Sequence, residues 1–140
     1  MYHFMKKIFS STPTNFQTHL ALLILRVGSG ALMLTHGWPK LERLTQGGEI
    51  TFPDPLGIGA FTSLFFAMLT EVLGSVLVML GLATRLAAVS LIFTMIVAVF
   101  IHHADDPFAR KELGLMYLLI YIVILIMGSG KYAIDRFIRK

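Results

Sequence analysis

Residues 61–82 read FTSLFFAMLTEVLGSVLVMLGL. The run is long enough to cross a bilayer, and it carries one ionisable side chain, Glu71, near its middle. A charged side chain at the centre of a membrane helix costs roughly 2.5–3.5 kcal/mol on insertion scales unless something compensates it. Either a partner neutralises Glu71 or Glu71 holds a proton or a ligand. The rest of the chain is read outward from this residue.

The composition agrees with a membrane setting. The 140 residues are 56% hydrophobic and 14% charged, against about 45–50% and about 25% in soluble domains. The length suits one domain, 1–140. The formal charge is +4, but the basic residues stand at the ends of apolar runs. There they meet lipid headgroups, so the charge does not point to nucleic acid. Cysteine is absent, which removes thiol catalysis, iron–sulfur clusters and covalent c-type haem from this chain. Lys6-Lys7 before an apolar run resembles a secretion signal, yet that run is too long for one. It is expected to stay as a first span.

Four spans are predicted, about 16–36, 61–82, 86–102 and 112–127, after an amphipathic leader at 1–14. Gly37-Trp38-Pro39 is expected to end span one, because proline disfavours helix at the residue before it. A partly apolar loop, 37–59, then lies over the mouth of the bundle. Ala83-Thr84-Arg85 is a tight turn, and Gly128-Ser129-Gly130 stops span four. Lys6, Lys7, Arg85, Lys131, Arg136, Arg139 and Lys140 gather at one side, against Lys40, Arg43, Arg110 and Lys111 at the other. The expected fold is therefore an all-α, antiparallel four-helix transmembrane bundle with both termini cytoplasmic.

Small and polar residues at helical spacing mark the faces that pack together. They are Arg26, Ser29, Gly30, Met33 and His36 or Gly37 in span one; Ala67, Met68, Glu71, Gly74, Ser75, Val78 and Gly81 in span two; Ala87, Ser90, Thr94, Ala98 and His102 in span three; Gly114, Tyr117, Tyr121 and Gly128 in span four. Counted from the ends of their spans, Arg26 and Glu71 fall at the same depth, about 15–16 Å in. An Arg26–Glu71 ion pair is thus expected, either locking the helices or forming a ligand or proton site that Tyr117 and Tyr121 could join. His36 ends span one and His102 and His103 end span three at the opposite mouth, where with Met33 they could ligate a metal or haem or hydrogen-bond a quinone headgroup. Of the adjacent His102 and His103, at most one should face the bundle. No metal-ligand spacing occurs, so no metal is expected. Gly128-Ser129-Gly130-Lys131 lacks the first glycine and the final Ser/Thr of a phosphate loop.

The order of motifs resembles the DoxX family of small bacterial and archaeal inner-membrane proteins. It runs Leu25-Arg26-Val27-Gly28, His36-Gly37-Trp38-Pro39-Lys40, Glu71-Val72-Leu73-Gly74, Leu80-Gly81-Leu82-Ala83-Thr84-Arg85, then Gly128-Ser129-Gly130-Lys131-Tyr132-Ala133-Ile134-Asp135. The resemblance covers about residues 18–136 and marks Arg26, His36, Gly37, Lys40, Glu71, Gly81 and Arg85 as characteristic positions. It implies a multi-pass protein of the bacterial inner membrane. Related proteins are subunits of thiosulfate:quinone oxidoreductases or associate with redox and detoxification partners. An oxidoreductase role is implied by the resemblance alone, and it transfers no catalytic residue. Without cysteine, a redox role needs a bound quinone, a haem (the weaker candidate) or a redox partner protein. The leading expectation is an accessory or subunit of a membrane redox system that binds a quinone or similar apolar ligand. Its candidate ligand residues are Arg26, His36, Lys40, Glu71, His102, Tyr117 and Tyr121. A non-catalytic membrane scaffold, a small-solute or proton carrier, and a homo-oligomer stay open.

Overall fold

The computed structural model describes residues 1–139, apart from the side chain of Tyr2. Lys140, counted above among the basic residues of the tail, lies outside the described residues. Among the described residues every regular element is helical. They are α1 (Tyr2–Ile8), α2 (Asn15–Thr45), α3 (Ala60–Leu80), α4 (Thr84–Ile96), α5 (Phe108–Met127) and the short α6 (Asp135–Ile138). A π-helical stretch, Val97–His102, continues α4.

Helix α2 starts where the sequence says it should. The Thr14 hydroxyl accepts from the N–H of Gln17 at 3.2 Å, and Gln17 Oε1 accepts from the N–H of Thr14 at 2.8 Å. This reciprocal pair satisfies two donors that a helix start otherwise leaves free. Its end departs from expectation, because α2 runs through Pro39 to Thr45. Proline inside a helix removes one donor, here the one that would reach the Thr35 carbonyl. The turns beyond it are held by side chains: Trp38 Nε1 donates to Glu42 Oε1 at 2.9 Å, and Lys40 Nζ donates to the His36 carbonyl at 2.9 Å. The connection reduces to residues 46–59.

The turn between α3 and α4 is as tight as predicted. Gly81 adopts φ +68°, and the N–H of Leu82 reaches back to the Leu77 carbonyl at 2.9 Å. This left-handed stop needs glycine for conformation and for space. A Cβ on Gly81 would lie 2.4 Å from the Ala133 Cβ and from Arg26 Nη1. Helix α4 then takes its cap from the tail: Asp135 accepts from the N–H groups of Ala83 and Thr84 and from the Thr84 hydroxyl, at 2.7, 3.1 and 2.9 Å. The tail is a strap across this turn, with the N–H groups of Ile134 and Asp135 donating to the carbonyls of Leu80 and Gly81.

One core takes side chains from all four long helices, among them Met33, Val78, Leu91, Met95, Tyr121 and Ile124. Helix α2 packs along α3, α3 along α4 and α4 along α5; α5 meets α2 over the smallest area. Most of the predicted inward stripes of α2 and α3 is buried: Arg26, Ser29, Gly30, Met33 and Gly37, with Glu71, Gly74, Ser75, Val78 and Gly81, while Ala67 and Met68 are half-buried and His36 is exposed. On α4 the stripe is rotated. Ala87, Ala88, Leu91 and Met95 are buried, while Ser90, Thr94 and Ala98 are half-buried beside them.

Helices α2 and α3, and α4 with its π extension, are long and apolar enough to cross a membrane. Helix α5 is not, because Arg110, Lys111 and Glu112 stand in its first turns. The uncharged remainder, 113–127, is shorter than the ~17–25 residues of a typical span. A protein with three such helices is built for a bilayer. The leader, the α3–α4 turn and the tail lie at one end of the molecule, and the 46–59 loop lies at the other.

Candidate functional site

At the end opposite the tail, a cavity of about 310 Å³ opens between α2, α3, α4 and the 46–59 loop. Its walls are mostly apolar, with Phe52, Pro53, Pro55, Leu56 and Ile58 from the loop and Ala67, Phe93, Val97 and Ala98 from the helices. Its polar groups are Lys40, Ser63, Glu71, Thr94, His102 and His103. An apolar pocket with a few convergent polar groups, at the lower end of the usual size range, suits a ring-sized ligand.

Glu71 Oε2 receives a hydrogen bond from Lys40 Nζ at 2.6 Å, with the two side chains 7% and 22% exposed. The Arg26–Glu71 pair expected from the sequence does not form. Arg26 is fully buried at the other end of α3, donating to the carbonyls of Val78 (3.2 Å), Met79 (3.3 Å) and Tyr132. Spans one and two do not end flush. Helix α2 extends well beyond the end of α3, so Arg26 stands opposite Val78–Met79 rather than opposite Glu71. Arg26 therefore serves the last carbonyls of α3, the place where a helix lacks internal donors and favours a cation.

The true partner was within reach of the same periodicity. Arg26, Gly30, Met33, Gly37 and Lys40 follow one helical stripe. Lys40 dropped off it only because span one was ended at His36. Gly37 brings the two helices together at this point, since a Cβ there would lie 2.9 Å from the backbone carbon of Glu71. Only a glycine lets α2 pass this close, and the close pass brings Lys40 within bonding distance of Glu71.

Both His102 and His103 border the cavity, His102 exposed and His103 half-buried. They stand at the end of the π turn. Its i→i+5 bonds, such as His103 N–H to the Ala98 carbonyl at 2.9 Å, widen the helix. The two rings sit 4.3 Å apart in an edge arrangement. His103 Nδ1 is also 2.6 Å from Asp106 Oδ2, and this hydrogen bond helps hold the Asp106 carboxyl below its ordinary pKa. Among the described residues no group of side chains is arranged to hold a metal.

The other candidates lie elsewhere. His36 is exposed on α2, with its ring edge-on to Tyr117 at 5.8 Å. Tyr117 stacks on Tyr121 at 6.1 Å. Both tyrosines are buried in the core and outside the cavity lining. Of the candidates, Lys40, Glu71 and His102 line the cavity and Arg26, His36, Tyr117 and Tyr121 do not, although both tyrosines lie near enough to Glu71 to interact with its charge. Sequence reasoning missed Ser63 as lining; His103 stood beside His102 at the mouth, and the loop's place there was signalled by the apolar character of Phe52-Pro53-Asp54-Pro55-Leu56.

Asp54 shapes that loop. Its carboxylate accepts from the N–H groups of Ile58 and Gly59 at 2.9 and 2.8 Å and from the Ser63 hydroxyl at 2.7 Å. The Ser63 bond and then the backbone bonds hold the Asp54 carboxyl below its ordinary pKa. A depressed carboxylate pKa stabilises the folded loop above the unfolded value, and that support is lost as pH falls through the folded value. Protection from hydrogen exchange across 46–59, relative to the intrinsic rate at each pH, should therefore be high at neutral pH and fall below about pH 4. Asp54→Asn should show the lower protection already at neutral pH. Unchanged exchange in that variant would mean that Asp54 does not hold the cover.

The DoxX family model matches residues 21–104. The chain belongs to the DoxX family. The match contains every residue that lines the cavity and stops before α5. A Bacillus subtilis relative named "Putative oxidoreductase CatD" is 32% identical over 127 residues, covering 90% of this chain and 92% of its own length. Two Haemophilus influenzae proteins, both uncharacterized, are each 32% identical, covering 85% and 86% of this chain and 92% and 85% of their own lengths. No solved structure matches the chain. Family membership and three membrane-length helices make this DoxX chain a multi-pass membrane protein.

Proposed function

We propose that this DoxX protein is an accessory or subunit of an inner-membrane redox system that binds a quinone or a similar apolar ring in the 310 Å³ cavity. In this reading residues 1–140 form one domain. Helix α5 is the fourth span, shortened by snorkelling charges, and both termini are cytoplasmic. The observation that carries the reading is the Lys40–Glu71 pair lining an otherwise mainly apolar pocket. Lys40 can donate to a quinone carbonyl, and Glu71 can accept from a quinol hydroxyl. One site would then hold either redox form of the ring, with His102 as a further polar contact. Electrons would come from a redox partner protein, since this chain has no cysteine and no metal ligand set among its described residues.

The test is binding of a short-chain quinone to detergent-solubilised protein by calorimetry. Ala67→Phe fills the cavity from α3. It should weaken binding at least tenfold while leaving the melting temperature unchanged or raised. Equal binding by the filled variant would place any quinone elsewhere. A second reading, a non-catalytic scaffold, draws on the same ion pair, which joins α2 to α3 where Gly37 lets them approach most closely. It predicts no quinone binding by the native chain.

A further inference from the structure

At the end of the molecule away from the cavity, a groove of about 550 Å³ runs between the start of α4, the end of α5 and the tail. Arg85, Arg136 and Arg139 line it, together with the apolar side chains of Leu86, Met127 and Ile138. All three arginines are exposed. The only acid in the lining is Asp135, and its carboxylate is engaged by Ala83 and Thr84. Among the described residues no carboxylate comes within ion-pair distance of Arg85, Arg136 or Arg139. The Arg85 guanidinium lies against Gly128, 3.4 Å from where a Cβ would stand, and reaches the Ile126 carbonyl only weakly at 3.4 Å. Three guanidinium groups therefore face one concavity in which, among the described residues, the one carboxylate is Asp135, close enough to Arg139 to attract it but already bonded to Ala83 and Thr84.

The apolar half of the groove says which anion fits. Leu86, Met127 and Ile138 are 69%, 48% and 66% exposed. Leu86 and Met127 stand at the ends of α4 and α5, where helix surface facing the bilayer begins. A small soluble anion has no use for such a wall, whereas a lipid needs both halves. Arginine forks match phosphate oxygens in pairs, and anionic headgroups collect basic side chains at the ends of spans. We propose that this groove docks an anionic phospholipid, its phosphate held by Arg85, Arg136 and Arg139 and one acyl chain lying along Leu86 and Met127. The site is independent of the quinone reading and stands or falls apart from it.

Native mass spectrometry of the delipidated full chain, titrated with phosphatidylglycerol or phosphatidylcholine, tests it. The expected result is about tenfold tighter retention of phosphatidylglycerol. Arg136→Gln with Arg139→Gln should abolish the preference, and the Lys pair Arg136→Lys with Arg139→Lys should keep part of it. Lys6→Gln with Lys7→Gln, which removes equal charge at the same end, should leave it intact. If the two Gln pairs lower retention equally, the attraction is diffuse and the groove is not a site. If glycerol phosphate at millimolar concentration displaces the lipid fully, the groove binds phosphate alone and the lipid assignment is overturned. The Gln variant is checked for an unaltered melt in phosphatidylcholine; should it fail to fold, the Lys pair and the single Arg139→Gln carry the comparison.

Discussion

Arg26→Met is expected to lower stability by about 3 kcal/mol and to free the C-terminal tail. The guanidinium is fully buried and supplies bonds to three carbonyls on two separate segments. Bonds from a charged donor are worth about 1.5–3 kcal/mol each, and deleting the donor strands acceptors that water cannot reach. The Val78 carbonyl retains a bond from Gly81 at 3.2 Å, so the loss falls mainly on Met79 and Tyr132. Methionine fills most of the volume and replaces none of the donors. Because Tyr132 heads the strap that caps α4, its release should also loosen Asp135. Thermal melting in detergent measures the first effect. Trypsin cleavage at Lys131, exposed beside the strap, measures the second. Arg26→Lys should fall between, since one ammonium cannot fork between α3 and the tail. A methionine variant that melts like the native protein, with Lys131 still protected, would show that the strap stands without Arg26.

The Lys40–Glu71 pair should respond asymmetrically. Lys40→Met leaves a carboxylate 7% exposed and unpaired, a situation that costs about 3 kcal/mol. Glu71→Gln leaves an ammonium 22% exposed that still donates to the His36 carbonyl, and should cost about 1 kcal/mol. The double variant should be more stable than Lys40→Met alone, because the orphaned charge is gone. Chemical unfolding of all four proteins in one detergent completes the cycle. Additive losses would mean that the two groups do not sense each other and that the carboxylate is kept neutral by other means. The same four proteins separate lock from site: a scaffold regains everything in the double variant, whereas a quinone site regains stability and not binding.

Much of the fold was legible because the bilayer and the helix impose strong rules. The inward stripes of α2 and α3 follow from small and polar residues every third or fourth position, and the structure buries most of them. The hairpin at Gly81–Arg85 follows from a glycine stop with no room for a loop. The candidate site was half legible. Glu71 and Lys40 were both singled out, but Glu71 was given the wrong partner. Local rules end a helix at proline, whereas α2 carries on through Pro39 on the strength of its neighbours. That continuation puts Lys40 on the buried stripe. The π turn was not legible at all, since nothing in Val97–His102 differs from an ordinary apolar helix.

By itself the sequence determined that the chain is helical, that its long apolar runs belong in a membrane, and that Glu71 must be compensated. These depend on composition and period, which are local. Only the tertiary structure decided that Lys40 compensates it and that Arg26 ties α3 to the tail. The relative offset of two antiparallel helices is set by where their side chains interlock, here at Gly37 against Glu71, and a shift of two turns moves a charge about 11 Å along its neighbour.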